Sequence, residues 1–185
     1  EYLKNGLDAI ISNTSGCGTT LKDYGFIFRS DKDLKKKAKK ISELTKDITE
    51  YLNEKVKLNF IAKTKNQKKY KIAYHSACSM QHGQKVHQDP INLIKKTGND
   101  VVDIPEGHIC CGSAGTYNLL QNDIATELLN KKIYNIKKIN PQIISTGNIG
   151  CITQIAQGTK IPILHTVEII DWYTGGPKPE ILDKL

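Results

Sequence analysis

The stretch KIAYHSACSMQHGQKVHQDPINLIKKTGNDVVDIPEGHICCGSAG, residues 71–115, decides the fold. KIAY, residues 71–74, reads as a short apolar strand. Asp89 followed by Pro90 marks a helix start, with Asp as N-cap and Pro at the first helical position, where its missing N–H costs nothing. That helix, 90–97, stops at Gly98, a residue free to take the left-handed conformation past a helix end. Residues 100–104, DVVDI, are a second strand, and 105–115 form a loop rich in Gly and Cys. Downstream, 123–139 has helical periodicity, with Ile124, Leu128, Leu129, Ile133 and Ile136 facing inward, and Pro141 prevents its continuation. A strand at 142–146, a helix at 150–156, a strand at 161–164 and a helix at 166–172 follow. Gly175, Gly176, Pro177 and Pro179 mark a loose tail. Such regular alternation predicts an α/β fold: a Rossmann-like parallel sheet with helices on both faces.

Upstream, residues 8–13 (DAIISN) read as a buried strand. Ser30 or Asp31 can cap a helix whose apolar positions, Leu34, Ala38, Ile41, Leu44, Ile48 and Leu52, recur in steps of three and four on one face. Residues 53–69 look like a polar connection with an apolar piece at 56–62. IISNTSGC (10–17) also echoes IISTGNIGC (143–151): an apolar strand, a polar turn, then Gly-Cys opening a helix. The expected organisation is therefore the end of one repeat plus a lysine-rich helix and linker (1–69), a whole second repeat (70–173) and a tail (174–185).

A chain of 185 residues, 38% hydrophobic and 25% charged, is globular in composition and needs no staples to fold. No apolar run approaches the ~20 residues that span a bilayer. The first residue is Glu1 and no signal peptide is visible, so the parent protein is expected to begin earlier. The formal charge of +8 is local: residues 29–71 hold 15 Lys and Arg against 6 Asp and Glu, and the remainder is close to neutral. A solvated helix face explains this, with a patch for anionic lipid or an acidic partner as the alternative. No aromatic residues are interleaved with the lysines in a stacking pattern, so no nucleic-acid partner is expected.

The five cysteines are Cys17, Cys78, Cys110, Cys111 and Cys151. An odd count with two adjacent members does not suit a disulfide framework. Each follows a predicted strand end, and ligands of open parallel sheets bind beyond the carboxyl ends of strands. Thiolates select zinc or iron–sulfur clusters over hard cations. The spacing lacks the paired C-x2-C of most zinc sites. Adjacent thiolates point apart along the backbone and fit neighbouring irons better than one tetrahedral ion. Gly112, Gly115 and Gly150 let N–H groups approach sulfur. Structural zinc and buried free thiols remain the alternatives.

Three stretches carry a resemblance: YHSACSMQHGQKV, PEGHICCGSAGTYNLLQ and STGNIGCITQIAQGTKIPILHTVEIIDW. Together they resemble the cysteine-rich CCG domain, and most closely the C-terminal part of glycolate oxidase iron–sulfur subunits; SNTSGCGTTLKDYG is similar to the end of that family's first repeat. CCG subunits of lactate, glycerol-3-phosphate and heterodisulfide oxidoreductases share the shorter motif. The resemblance implies Cys78, Cys110, Cys111 and Cys151 as ligands of an iron–sulfur cluster, 4Fe-4S in type, and Cys17 as the closing metal-ligand cysteine of the first repeat. It implies electron transfer from a flavin-containing glycolate oxidase subunit, which holds the flavin, to a respiratory-chain acceptor. The place is then the cytoplasm, with peripheral association at the inner face of the membrane, and the chain itself is catalytically silent. The family pattern closes in C-x2-C, whereas Gln154 stands here at the last position. The competing reading is a non-redox docking module built on structural zinc.

His75, His82 and His108 lie near cysteines and read first as loop packing or as hydrogen-bond donors to sulfur. His165 reads as the cap of the next helix, and Trp172 as core or interface. Ser-His-Asp, HExxH, Walker and strand-following GxGxxG motifs are absent, so no hydrolase or nucleotide site is expected.

Overall fold

A computed structural model describes residues 2–61 and 69–184. Part of the polar connection, 62–68, lies outside the described residues. A 3-10 turn, Tyr2–Lys4, precedes β1 (Ile10–Ser12), α1 (Ser15–Lys22), α2 (Tyr24–Ile27), α3 (Lys35–Leu44), β2 (Thr45–Asp47) and α4 (Ile48–Lys55). After the connection come β3 (Lys71–Tyr74), a π-helical turn (Ser79–Gln84), α5 (Gln88–Lys96), β4 (Asp100–Asp103), α6 (Tyr117–Leu120) and α7 (Asn122–Lys138). The chain continues through β5 (Ile143–Thr146), α8 (Ile149–Ala156), β6 (Ile163–His165), α9 (Thr166–Thr174) and a 3-10 turn, Glu180–Lys184.

The expected α/β architecture is what forms. β4-β3-β5-β6 make one parallel sheet, and β1-β2 a second, two-stranded parallel pair. Strand residues alternate between two apolar layers, as the period of two requires. Ala73, Ile144 and Ile163 pack under Leu129, Ile133 and Ile136 of α7 and Ile155 of α8. Ile72, Tyr74, Ile143 and Leu164 pack under Ile94 of α5 and Ile169 and Tyr173 of α9. Helices thus cover both faces. The strand order reverses between β3 and β5, and a crevice opens beyond the carboxyl ends of strands at such a switch point.

The structure corrects several expectations. The helix expected to run from Leu34 past Leu52 is interrupted by β2. Asp47 takes an extended conformation and caps α4 through a capping box with Glu50, its side chain accepting from Thr49 N at 2.8 Å. This local alternative ends α3 at Leu44 although the apolar spacing runs on. Asp31 does cap the turn leading into α3, accepting from Leu34 N at 2.7 Å. Residues 8–13 are not a buried strand: Ile11 is exposed and only Ser12 is buried. Asp89 is no N-cap, because α5 starts at Gln88 and its carboxylate accepts from Asn53 Nδ2 at 2.8 Å. On α7, Ile124 is exposed, and the buried stripe runs through Ala125, Leu129, Lys132, Ile133 and Ile136. The end of the chain is not loose, since Leu182 is fully buried against the second apolar layer.

The short sequence echo extends into three dimensions. β1 pairs with β2 in the register Ile10↔Thr45 to Ser12↔Asp47, and β5 with β6 from Ile144↔Ile163 to Thr146↔His165. In each pair the last residue of the second strand closes a capping box: Asp47 with Glu50 on α4, His165 with Glu168 on α9. Cys17 and Cys151 are each the third residue of the helix between the two strands.

Candidate metal centre

Four cysteines meet at the switch point. Cys78 follows β3 and opens the π-helical turn, Cys110 and Cys111 lie in the loop after β4, and Cys151 sits in the first turn of α8 after β5. They share a cleft of about 250 Å³, whose wall also includes Gly16, Ser113 and Asn148. Cys110 lies beside Cys78 and Cys111, and Cys111 beside Cys151, so each thiol feels its neighbours' charge. Cys111 and Cys151 are buried, Cys78 and Cys110 half-buried. Cys17 is exposed and is not part of this group; its neighbour Gly16 reaches the cleft instead.

Each cysteine is placed by local structure. Asn148 caps α8, accepting from Cys151 N at 3.2 Å, and donates from Nδ2 to Ser15 Oγ at 2.7 Å. Ser15 also accepts from Ser79 Oγ at 2.6 Å, so α1 is bolted across the rim of the cleft. Gly112 has φ +94, and its N–H donates to Cys110 Sγ at 3.3 Å. The loop reaching Cys110 is held by α7: Lys131 pairs with Glu106 at 2.8 Å, and Asn135 Nδ2 donates to Glu106 Oε2 at 3.0 Å.

Lys132 is the residue that sequence periodicity misplaces. It is fully buried on α7, and its ammonium donates to the Gly107 carbonyl at 3.2 Å. Burial pushes its pKa down, opposed by the nearby thiols. A donor aimed at this half-buried carbonyl is worth about 1–3 kcal/mol when its loss leaves that acceptor unpaired. Lys132→Met should therefore lower the unfolding free energy by that amount, seen as a lower urea midpoint with the slope unchanged. An unchanged midpoint would show that the ammonium does not anchor the loop.

The electrostatics favour a bound cation or cluster. Hydrogen bonds from Cys111 and Cys78 hold Cys110 down at about 2, and a hydrogen bond from Cys111, helped by His75, holds Cys151 at about 5. Sharing those protons pushes Cys78 and Cys111 up, with burial adding to the effect. The four sulfurs therefore compete for the same few protons, some thiols lowered at the expense of others. Binding of a metal group removes those protons and neutralises the remaining charge. The donor set, four sulfurs on one cleft with a backbone N–H aimed at one of them, fits an iron–sulfur cluster.

Of the histidines, His75 enters the site. It is 1% exposed, neither ring nitrogen has a hydrogen-bond partner, and its ligand atom lies within 4.8 Å of those of Cys111 and Cys151. Its place one residue past an apolar strand, at the switch point, was the available clue. His165 caps α9, accepting from Val167 N at 3.2 Å, and its Nε2 meets the Asn13 carbonyl at 2.8 Å. His82 and His108 line a separate cleft with Tyr74 and Asp103. Gln154 is buried and accepts from Asn118 Nδ2 at 3.3 Å. Trp172 packs against Tyr70 and Tyr173 at ring-centroid distances of 6.0 and 4.7 Å.

The sequence is similar to known proteins. Residues 72–156 match the cysteine-rich domain family, CCG. The chain is 34% identical over 169 residues to the glycolate oxidase iron–sulfur subunit of Escherichia coli (strain K12), covering 91% of this chain and 40% of that protein. It is 26% identical over 171 residues to lactate utilization protein A of Geobacillus sp. (strain WCH70), covering 89% of this chain and 70% of that one. The same-named protein of Anoxybacillus flavithermus is 24% identical over 168 residues. The four converging cysteines all fall inside the matched segment, and residues 72–156 resemble the cysteine-rich CCG domain.

Proposed function

We propose that this chain belongs to an iron–sulfur electron-transfer subunit of a flavin-dependent 2-hydroxy-acid oxidoreductase, with Cys78, Cys110, Cys111 and Cys151 as the cluster ligands. The observation that carries the reading is the convergence of these four thiols at the switch point of a parallel sheet. When bound, a cluster of this kind supplies one-electron chemistry. The chain's own residues would hold it by sulfur. Gly112 N–H would stabilise the charge on Cys110, and the capped start of α8 would fix Cys151.

The glycolate oxidase relative supports glycolate as the substrate; on this reading a flavin subunit oxidises it, glycolate giving up two electrons and two protons to the flavin and becoming glyoxylate. Electrons then leave singly through this subunit to a respiratory acceptor. Lactate is the competing substrate, favoured by the lactate utilization relatives. Among the described residues no helix is long and apolar enough to cross a membrane, which agrees with a cytoplasmic place and peripheral docking. We read residues 1–69 as the end of a first repeat, with Cys17 its closing cysteine, on the shared register and capping of the two strand pairs. A structural zinc site is the second reading, favoured by the close grouping of His75, Cys111 and Cys151.

The test is anaerobic addition of glycolate, then lactate, to the intact complex while visible absorbance is followed. The reading predicts flavin bleaching followed by cluster bleaching with glycolate. Flavin reduction with no change in cluster absorbance would contradict it.

A further inference from the structure

We propose that His75 is a fifth protein ligand of this centre, binding through a ring nitrogen beside Cys111 and Cys151. The assignment rests on the cluster reading above and deepens it.

Three observations carry it. First, the imidazole is 1% exposed and neither ring nitrogen meets an oxygen or nitrogen partner, its neighbour being the Cys151 thiol. A buried polar atom without a partner costs about 1–3 kcal/mol, and a histidine placed only for packing normally recovers that through a carbonyl or carboxylate. Second, the backbone leaves the ring little choice of place: His75 N donates to the Ser145 carbonyl at 2.8 Å, continuing the β3–β5 ladder into the switch point. Third, the ligand atoms of His75, Cys111 and Cys151 all lie within 4.8 Å of one another. Two donors bound tetrahedrally at about 2.0–2.3 Å stand about 3.6 Å apart, so the ring needs only a small movement to share a metal with either sulfur.

The chain also provides a reason for such a ligand. Gln154, two residues beyond Ile152 on α8, is engaged by Asn118 and is not part of the cleft wall. The helix therefore presents one thiol, Cys151, and the imidazole is a further nitrogen donor whose ligand atom lies within 4.8 Å of that sulfur. Imidazole is a good ligand for iron, and its neutral charge leaves the centre less anionic than a fifth thiolate would.

The test is pulsed EPR of the reconstituted intact subunit carrying 15N-labelled histidine, combined with iron and sulfide analysis. The expected result is a strongly coupled histidine nitrogen in the wild type. It should vanish in His75→Ala, with iron affinity reduced by at least about 10–100-fold, the loss that removal of even an outer-shell partner causes. His75→Cys should regain iron without the nitrogen coupling. A wild-type cluster showing no histidine nitrogen coupling would overturn the assignment and leave the four-cysteine reading standing. So would His75→Ala with full iron and an unchanged spectrum. If His75→Ala does not fold, the wild-type spectrum alone decides. A wild type that takes up no iron overturns the cluster reading itself, and His75 falls with it.

Discussion

Cys111→Ser in the intact subunit is expected to empty the centre and leave the fold standing. Cys111 is 1% exposed and lies beside both Cys110 and Cys151, so it links the two halves of the thiol set. A serine hydroxyl is rarely deprotonated at neutral pH and lacks sulfur's affinity for iron. The loss should exceed the roughly 10–100-fold that an outer-shell substitution costs. The sheet survives because its two apolar layers, one under α7 and α8, the other under α5 and α9, do not need metal to form. A flavin partner would still be reduced by substrate but would reoxidise slowly. Iron and sulfide content, circular dichroism and the flavin reoxidation rate check this together. A folded variant with normal iron and normal reoxidation would remove Cys111 from the centre.

Gly112→Ala is expected to damage both fold and site. Gly112 sits at φ +94, and a Cβ there would stand 2.3 Å from the Ala125 carbonyl oxygen, a backbone atom in the first turn of α7. Positive φ alone costs a non-glycine residue about 1–3 kcal/mol. The clash must be relieved by lifting the Cys110–Cys111 loop off the helix, so we expect about 3 kcal/mol in all. For a domain of this size that is a fall in Tm of about 6–12 °C. The same displacement withdraws the N–H from Cys110 Sγ, so metal affinity should drop with stability. Thermal unfolding of apo and loaded protein measures both. An unchanged Tm would mean that the loop is not held against α7.

Much of this was legible in the residues, and the failures have physical causes. The alternation of short apolar runs with helical segments suffices for a parallel sheet. Placing Cys78, Cys110, Cys111 and Cys151 after strand ends suffices to bring them to one edge. Periodicity failed where a local hydrogen bond competes with it: Asp47 and Glu50 form a capping box that ends α3 and inserts β2, although Ile48 and Leu52 continue the apolar spacing. It failed again at Lys132, because hydrophobicity scales place a lysine outside, while here loop carbonyls receive its ammonium. His75 was visible as a residue near cysteines, but only the three-dimensional switch point separates it from His82 and His108. The docking of α1 through Ser15 depends on contacts with Ser79 and Asn148, far apart in the chain.

The central claim is that these four thiols hold an iron–sulfur cluster. The most direct measurement is iron, acid-labile sulfide and zinc per chain in the intact protein isolated without oxygen. The account predicts iron and sulfide in equal amounts, a broad visible absorbance that bleaches on reduction, and no stoichiometric zinc. A colourless protein carrying zinc and no sulfide would contradict it.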